Sequence, residues 1–511
     1  MSKRLLGAVG LISGLTLLAR VVGFGRWFAQ FAWVGQGSTA NAYASANQIP
    51  NIVYEVAAGG ALAGITIPLL ALPIAKAMRE DVSRVASSLL TIALLILVPL
   101  AAAVGIFATS IAQLLPVPAG EGAMAQRDLL AMFLRIFSVQ IPLYGISVVL
   151  TGVLQAHKKF LWPALAPLLS SLVVIATYAI YGAMPGSAGD VSAVSDSAVR
   201  VLGWGTTAGV VALCLPLFIP VARLGVKLRP HFGLTRAEAR QAFVLGAAGV
   251  GTLTAQQVSA LTVLTVARGY GDVGTVAIYQ YTQALYMLPY AVLAVPIATA
   301  TFPEIARQVV SAGAQLQHTI TQTTRTVAVV GVISAGLLVA GAQPLQAVFE
   351  MLKPVPGMAQ ALVLLAPGLI GFALIFHLSR VLYALHRGRS AGLAASGGWL
   401  VVAALSILFA QANEGGDGPA ALRTLAAASS VGMTVAAVLL LYAIRDFARI
   451  AEILRAAALA AAAVGPGAAL AFYCQGFLPS GIGLICVGGA LGLALIGLVS
   501  APFLPALRRA L

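Results

Sequence analysis

The chain is a succession of long apolar stretches separated by short polar or basic segments. Only 9% of its 511 residues are charged, against roughly 25% in a soluble globular protein. A soluble fold of this length would need far more charge on its surface, which excludes a soluble enzyme and a nucleic-acid-binding module. The apolar content also excludes a disordered protein, so we predict an all-α polytopic membrane protein.

Fourteen of the apolar stretches reach the ~20 residues that a helix needs to cross a bilayer. They lie at residues 5–34, 40–76, 83–114, 127–156, 160–183, 199–223, 237–267, 273–309, 319–348, 358–385, 391–412, 419–444, 450–474 and 480–505. Spans 1, 2 and 8 exceed that length and contain Gly or Pro, which predicts bent helices or helices that extend beyond the membrane. The sequence therefore predicts fourteen transmembrane helices.

Lysine and arginine are distributed unevenly between alternate loops. With the N-terminus placed inside, 21 of the 30 Lys and Arg residues fall on the inner side, five on the outer side and four within spans. Inner loops of membrane proteins are enriched in these residues. We therefore predict that both termini are cytoplasmic, and this topology explains the net charge of +15 without a nucleic-acid partner.

Catalytic and metal-binding motifs are missing from the sequence. The three cysteines lie in apolar stretches without metal-ligand or disulfide spacing, and the five histidines are scattered. The chain has no phosphate-binding loop, no zinc-protease motif and no nucleophile elbow. We predict a protein that is not an enzyme and has no catalytic residues, metal or cofactor.

A short pattern recurs at an offset of 228 residues. Val153-Leu154-Gln155-Ala156 ends span 4 and Val381-Leu382-Tyr383-Ala384 ends span 10, and each is followed by a basic cluster. An offset of six helices preserves orientation, so the repeat is parallel. It predicts six-helix bundles at residues 1–223 and 237–444, two additional helices at 450–505, and substrate bound between the bundles.

Two arginines lie inside the first span, where an ionised group costs roughly 2.5–3.5 kcal/mol. Arg20 and Arg26 are six residues apart and flank Gly23 and Gly25, which can bend the helix towards a shared cavity. Because a guanidinium matches phosphate geometry, one interpretation is a clamp for an anionic headgroup. The other is that one or both arginines reach the interface or form structural pairs.

Span 2 carries a polar stripe. Asn41, Gln48 and Glu55 recur every seven residues and so share one helix face, and Asn51 lies one turn before Glu55. Glu55 can neutralise an arginine of span 1, accept a coupling proton or bind substrate, and a purely structural ion pair is the alternative. Gly59 and Gly60 follow as a possible hinge.

Span 8 has a second polar and aromatic stripe. Tyr279, Gln283, Tyr286 and Tyr290 follow helical spacing, so they lie on one side of the helix. Gln283 and Tyr286 are candidate substrate-binding residues, and ordinary helix packing is the alternative reading of the same stripe.

Several segments resemble one family. Residues 20–26 (Arg-Val-Val-Gly-Phe-Gly-Arg), 49–52 (Ile-Pro-Asn-Ile), 160–167 and 289–303 are similar to signatures of the MurJ (MviN) lipid II flippases. That family belongs to the multidrug/oligosaccharidyl-lipid/polysaccharide exporter superfamily. Length and span number agree with it, so the resemblance covers essentially the whole chain.

The resemblance implies a bacterial cytoplasmic-membrane flippase for lipid II, acting in peptidoglycan synthesis by alternating access. The substrate of that family is an undecaprenyl-diphosphate glycolipid. Arginines that match Arg20 and Arg26 of this chain contact the diphosphate in the family. The resemblance is also compatible with a coupling ion and with cell-wall synthesis or division proteins as partners. Tyr54, Glu55 and Gln283 depart from the family pattern, which makes the site less cationic.

Three alternatives to lipid II transport follow from the same sequence. The first is a flippase for another polyprenyl-linked saccharide, and the second is a drug/cation antiporter of the same superfamily. A membrane-embedded enzyme or a scaffold is the third. Depletion of the protein separates them, because only loss of a lipid II flippase should stop wall synthesis with lipid II accumulating inside.

Overall fold

The computed structural model describes residues 3–56, 63–117, 122–187, 191, 194–311, 315–413 and 416–503. This part of the chain is α-helical and contains no β-strand. It divides into two compact units, residues 1–254 and 255–511. The boundary falls inside one long helix, Arg236–Gly269, and the division into bundles at 1–223 and 237–444 stays a prediction.

The described residues of the first unit form ten helices and the beginning of an eleventh. They are α1 (Lys3–Trp33), α2 (Ser38–Val56), α3 (Ala63–Ala75), α4 (Arg79–Ile106), α5 (Ala108–Leu114), α6 (Ala123–Ser138), α7 (Gln140–Ala156), α8 (Leu161–Ala183), α9 (Asp196–Cys214), α10 (Phe218–Arg223) and α11 (Arg236–Gly269). One apolar core of this unit lies where α3, α4 and α7 meet, around Leu70, Val85 and Leu150.

The second unit contains the rest of α11 and eight further helices. They are α12 (Thr275–Pro289), α13 (Val295–Ser311), α14 (Gln315–Glu350), α15 (Met358–Ala384), α16 (Gly388–Ala412), α17 (Gly418–Ala443), α18 (Ile450–Gln475) and α19 (Gly489–Ser500). A π-helical turn, Tyr290–Ala294, joins α12 to α13. The two C-terminal helices pack on α14 around Val332, Val464 and Ile496.

Eleven helical segments among the described residues are long and apolar enough to cross a membrane. They coincide with predicted spans 3–6 and 8–14, which confirms a multi-pass helical membrane protein. Predicted spans 1, 2 and 7 contain α1, the α2–α3 pair and α11. The total of fourteen stays a prediction, and the proposed hinge at Gly59 and Gly60 lies outside the described residues.

The repeated sequence pattern ends two helices in the same way. Lys158 after α7 and His386 after α15 adopt left-handed φ angles of 58° and 57°, and they are 228 residues apart. The next amide in each case, that of Lys159 or Arg387, donates to a carbonyl five residues earlier. This pairing is the Schellman termination of a helix, so the short sequence repeat corresponds to a repeated backbone structure.

Small residues bring α16 and α17 close together. A methyl group placed on Gly432 would lie 2.6 Å from the carbonyl oxygen of Gly398 and 2.9 Å from the backbone nitrogen of Val402. A methyl group on Gly398 would lie 2.8 Å from the carbonyl oxygen of Gly432. Helices in membranes associate through such small-residue contacts, because lipid is as apolar as the side chains.

Candidate functional site

Arg26 lies on α1 beside a group of tyrosines in the first unit. Its guanidinium carbon is 5.5 Å from the centre of the Trp27 ring, and its charge acts on the hydroxyls of Tyr43 and Tyr144. The side chain is only partly buried. A cation held among aromatic rings and hydroxyls in this way is suited to meet an anion.

The tyrosine cluster consists of Tyr43 and Tyr54 from α2, Tyr144 from α7 and Tyr178 from α8. The hydroxyls of Tyr43 and Tyr178 share a hydrogen bond of 2.8 Å, and Tyr178 donates to Gln30 Oε1 at 3.2 Å. The rings of Tyr54 and Tyr144 are 4.6 Å apart. The cluster therefore joins α2, α7 and α8, and the charge of Arg26 on α1 acts on two of its members.

Tyr43 is the most enclosed member of the cluster, with 1% of its surface exposed. Its hydroxyl lies 3.0 Å from Thr206 Oγ1. Thr206 uses its own proton on the carbonyl of Leu202 and Tyr178 uses its proton on Gln30. The single proton of Tyr43 therefore has two acceptors, and this hydroxyl links α2 to both α8 and α9.

Tyr43→Phe is expected to lower stability by about 1–2 kcal/mol, because it removes one buried donor while Tyr178 and Thr206 keep their own bonds. The measurement is the thermal unfolding midpoint in detergent. Tyr473→Phe, at a side chain that is 68% exposed, is the matched control for the loss of a tyrosine hydroxyl and should leave the midpoint unchanged. An unchanged midpoint for Tyr43→Phe would show that the hydroxyl does not hold these helices together.

The polar stripe of α2 changes from buried to exposed along the helix. Asn41 is 1% exposed, Gln48 is half-buried and Glu55 is exposed. Asn51 Oδ1 accepts a hydrogen bond of 3.3 Å from Tyr144, which places Asn51 in the tyrosine cluster. Asn41 lies deeper in the unit, so among the stripe residues Asn51 has the clearest structural link to Arg26.

Arg20 lies in different surroundings from Arg26. It lines a cavity of about 400 Å³ together with Gln155 at the end of α7 and Phe160, Pro163 and Pro167 at the beginning of α8. The helix α1 continues through Gly23 and Gly25. Because six residues turn a helix by about 240°, Arg20 and Arg26 lie on different sides of α1. A methyl group at either glycine would meet open space, so neither is needed for close packing.

The predicted stripe on span 8 lies in the second unit. Gln283 Nε2 donates to the Tyr279 hydroxyl at 2.6 Å, and that hydroxyl is 3.3 Å from Ser429 Oγ of α17. Tyr286 is 3% exposed. Tyr290 begins the π-helical turn and packs edge-on against Phe372 of α15, 4.9 Å between ring centres.

Ring pairs occur at equivalent places of the repeat. Tyr144 of α7 and Phe372 of α15 are 228 residues apart, the offset of the sequence pattern. Tyr144 packs against Tyr54 at a tilt and Phe372 packs edge-on against Tyr290. In both units, therefore, a ring on the helix that carries the repeat contacts a ring that follows a proline, Pro50 or Pro289.

Two cationic groups of the second unit were not singled out as site residues from the sequence. Arg380 places its guanidinium 3.5 Å from the centre of the Phe376 ring, and the adjacent His377 is buried with Nε2 3.3 Å from Thr324 Oγ1. Arg268, at the end of α11, is 1% exposed. In the sequence, Arg268 stands just before a predicted outer loop, which gives no indication that it is buried. Only the tertiary packing encloses its side chain.

The comparisons with known proteins agree with this architecture. A family model described as lipid II flippase MurJ matches residues 31–478. The chain is 26% identical over 314 residues to a probable lipid II flippase MurJ of Rhizobium tropici, covering 59% of this chain and 55% of that protein. It is 25% identical over 311 residues to the lipid II flippase MurJ of Burkholderia cenocepacia, covering 59% and 57%. The matched segment spans about half the length of these relatives.

Solved structures show the same fold. The inward closed conformation of lipid II flippase MurJ superposes with a TM-score of 0.76 at 18% identity, over 98% of this chain and 99% of that one. An inward-facing multidrug resistance MATE transporter of the MOP superfamily superposes with a TM-score of 0.67 at 17% identity, over 85% and 94%. The family match extends over most of the sequence, and the chain therefore belongs to the MurJ lipid II flippase family.

Proposed function

We propose that the protein moves lipid II, the undecaprenyl-diphosphate-linked peptidoglycan precursor, from the inner to the outer leaflet of the bacterial cytoplasmic membrane. Family membership supports this proposal. The observation that carries it at the level of residues is Arg26 among the hydroxyls of the tyrosine cluster. A diphosphate needs cationic compensation before it can leave water for a low-dielectric site.

The residues divide this task by their chemistry. Arg26 offers a planar fork of donors that matches phosphate oxygens. Tyr144, on which that charge acts, is hydrogen-bonded to Asn51 and packs against Tyr54, and a methyl group at Gly23 or Gly25 would meet open space. Gln48 of the first unit is proposed to contact the sugar or peptide. The other candidate substrate-binding residues stay proposals, each within its own unit: Arg20, Asn41, Gln283 and Tyr286.

The test is complementation of a bacterium depleted of its own lipid II flippase. Growth and normal shape are expected, together with lipid II reaching the outer leaflet at the rate of the replaced protein. Restoration of a different surface saccharide, with lipid II still accumulating inside, would favour the flippase for another polyprenyl-linked substrate. Drug resistance without either effect would favour the antiporter. The driving force is proposed to be an ion gradient, the membrane potential or the gradient of the substrate itself.

Glu55 is proposed to be coupled electrostatically to the arginines of α1. It is an exposed acid one turn after Asn51 on α2, so an ion pair with an arginine is screened by solvent and contributes at most about 1 kcal/mol to stability. The effect is therefore expected in transport, which Glu55→Gln should reduce more than Asn41→Ala does. Transport assays at matched protein levels decide this, and a fully active, stable Glu55→Gln protein would refute the coupling.

Both termini are proposed to be cytoplasmic. With that orientation, 21 Lys and Arg residues lie on the inner side and five on the outer side, as the positive-inside rule requires. In a cysteine-free background, an impermeant thiol reagent added outside should label a cysteine at Ser195 and miss cysteines at Ser2 and Thr235. Labelling at Thr235 from outside would contradict the proposed orientation. Labelling of all three positions only after the membrane is opened would contradict the outer placement of Ser195.

A further inference from the structure

The segment between α10 and α11, residues 224–235, is an extended strap that lies along α4. Its backbone amides at alternate residues donate to hydroxyls of that helix. Lys227 donates to Ser83, Arg229 to Ser87 and His231 to Thr91, each at 3.1 Å. Ser83, Ser87 and Thr91 are four residues apart and so share one helix face. The strap is therefore fixed to the first unit through its backbone.

Charged groups fasten the end of the strap. Arg84 of α4 donates to the carbonyl of Gly233 and forms two hydrogen bonds of 3.0 Å with Glu238 in the first turn of α11. These hydrogen bonds engage both carboxylate oxygens of Glu238. Thr235 and Glu238 also cap each other's backbone amides, the capping-box arrangement.

This attachment sorts the side chains of the strap onto two faces. Val226 is buried, and Leu228 and Leu234 are partly buried against the apolar core of the first unit. Lys227 and Arg229 are exposed on the other face. Because the backbone is committed to α4, the basic side chains project away from the protein.

The exposed surface combines cations with large aromatic rings. Phe232 is 72% exposed and Phe243, in the first turns of α11, is 77% exposed. The surrounding exposed cations are Arg223, Lys227, Arg229, Arg236 and Arg240. Glu238, the acid within this segment, is neutralised by Arg84. A surface of this kind is complementary to an anionic interface into which aromatic rings can insert.

The position of the strap along α4 places this surface at the edge of the bilayer. The contacts end at Thr91, and the exposed apolar side chains of α4 begin at Leu95, with Ile96 and Val98 following. Four residues of helix correspond to about 6 Å, which is comparable to the thickness of a headgroup layer. The strap thus lies just outside the apolar, lipid-facing part of a membrane-spanning helix.

We propose that the strap and the first turns of α11 form a binding surface for anionic phospholipid headgroups, with Phe232 and Phe243 inserted among them. The five cations supply the attraction, and the hydroxyl contacts with α4 hold the surface in a fixed orientation at the interface. Because the strap leads into α11, the helix that continues into the second unit, anionic lipid would anchor the start of that helix on the side of the first unit.

The experiment uses the full chain with Cys214, Cys474 and Cys486 replaced by alanine and a spin label on Phe232→Cys. The protein is reconstituted in phosphatidylcholine and in an equimolar mixture of phosphatidylcholine and phosphatidylglycerol. Collision of the label with oxygen, which dissolves in lipid, is compared with collision with a water-soluble nickel complex. Lipid contact is expected in the anionic membrane and water contact in the neutral one.

Charge removal on the strap provides the sharper comparison. Each cation near an anionic surface changes membrane partitioning about fivefold, so Lys227→Gln with Arg229→Gln should lower the lipid-contacting population roughly thirtyfold. Lys158→Gln with Lys159→Gln, exposed cations outside the strap, is the matched control and should have little effect. A label on Phe243→Cys gives a second reporter if the Phe232 variant folds poorly.

Three outcomes would overturn the proposal. The label can remain in contact with the nickel complex in both membranes, which would leave the strap in water. The control pair can shift the label as much as the strap pair does, which would indicate a general charge effect. The label can also be shielded from oxygen and nickel alike, which would show that a protein covers this surface.

Discussion

Arg26→Ala is expected to abolish lipid II transport while leaving the protein folded and inserted. Arg26 is partly buried beside Tyr43 and Tyr144, where it can form two charge-assisted hydrogen bonds with a diphosphate. Each such bond contributes about 1.5–3 kcal/mol, so losing both corresponds to at least a hundredfold reduction in the transport rate. The measurement is the outer-leaflet lipid II content of cells that contain equal amounts of each variant.

Arg26→Lys separates a binding role from a structural one. Lysine supplies the charge without the planar fork of donors, so partial activity is expected if Arg26 binds phosphate. Arg135→Ala is a matched control, because Arg135 also lies on a membrane helix but donates to Thr109 at 2.8 Å; its transport should be near normal. Normal transport by Arg26→Ala would remove the residue-level basis of the proposed function.

Gly432→Ala is expected to destabilise the second unit by about 3 kcal/mol, at the upper end of the range for overpacked sites. The added methyl group would meet backbone atoms of α16, at Gly398 and Val402, within 3 Å. Backbone atoms cannot rotate away as a side chain can, so α16 and α17 must separate. This cost exceeds the roughly 1 kcal/mol that alanine contributes to a helix relative to glycine.

Gly465→Ala is the matched control for this prediction. Gly465 lies inside α18 of the same unit, and a methyl group there would meet open space. The unfolding midpoint in detergent should fall by several degrees for Gly432→Ala and stay level or rise for Gly465→Ala. Equal midpoints for the two variants would mean that α16 and α17 do not depend on this close approach.

Much of the fold follows from the order of residues along the chain. Transfer of a helix into lipid depends on the length and hydropathy of one contiguous segment, so predicted spans 3–6 and 8–14 coincide with observed apolar helices. The helices that carry the pattern at residues 153–156 and 381–384 end in the same left-handed way, at Lys158 and His386, and the division into two six-helix bundles stays a prediction. Arg26 was selected because an isolated charge in such a span is costly.

The contacts around the candidate site could not be predicted from the sequence. The hydroxyl of Tyr43 meets Tyr178 and Thr206, which are 135 and 163 residues away along the chain. Tyrosine and threonine are ordinary residues of a membrane helix, and nothing local marks these three as partners. Which side chains meet depends on how each helix is rotated about its axis and on its neighbours, both set by packing between helices.

The sequence alone determined that the chain is a helical multi-pass membrane protein, placed a cation in its first span and indicated its family. The tertiary structure decided that Arg26 and Arg20 lie in different surroundings, that Arg268 is buried, and that residues 224–235 are fastened to the hydroxyls of α4. The physical reason is the sequence separation over which each interaction acts. Insertion into lipid sums over neighbouring residues, whereas hydrogen bonds and close helix contacts join residues that only folding brings together.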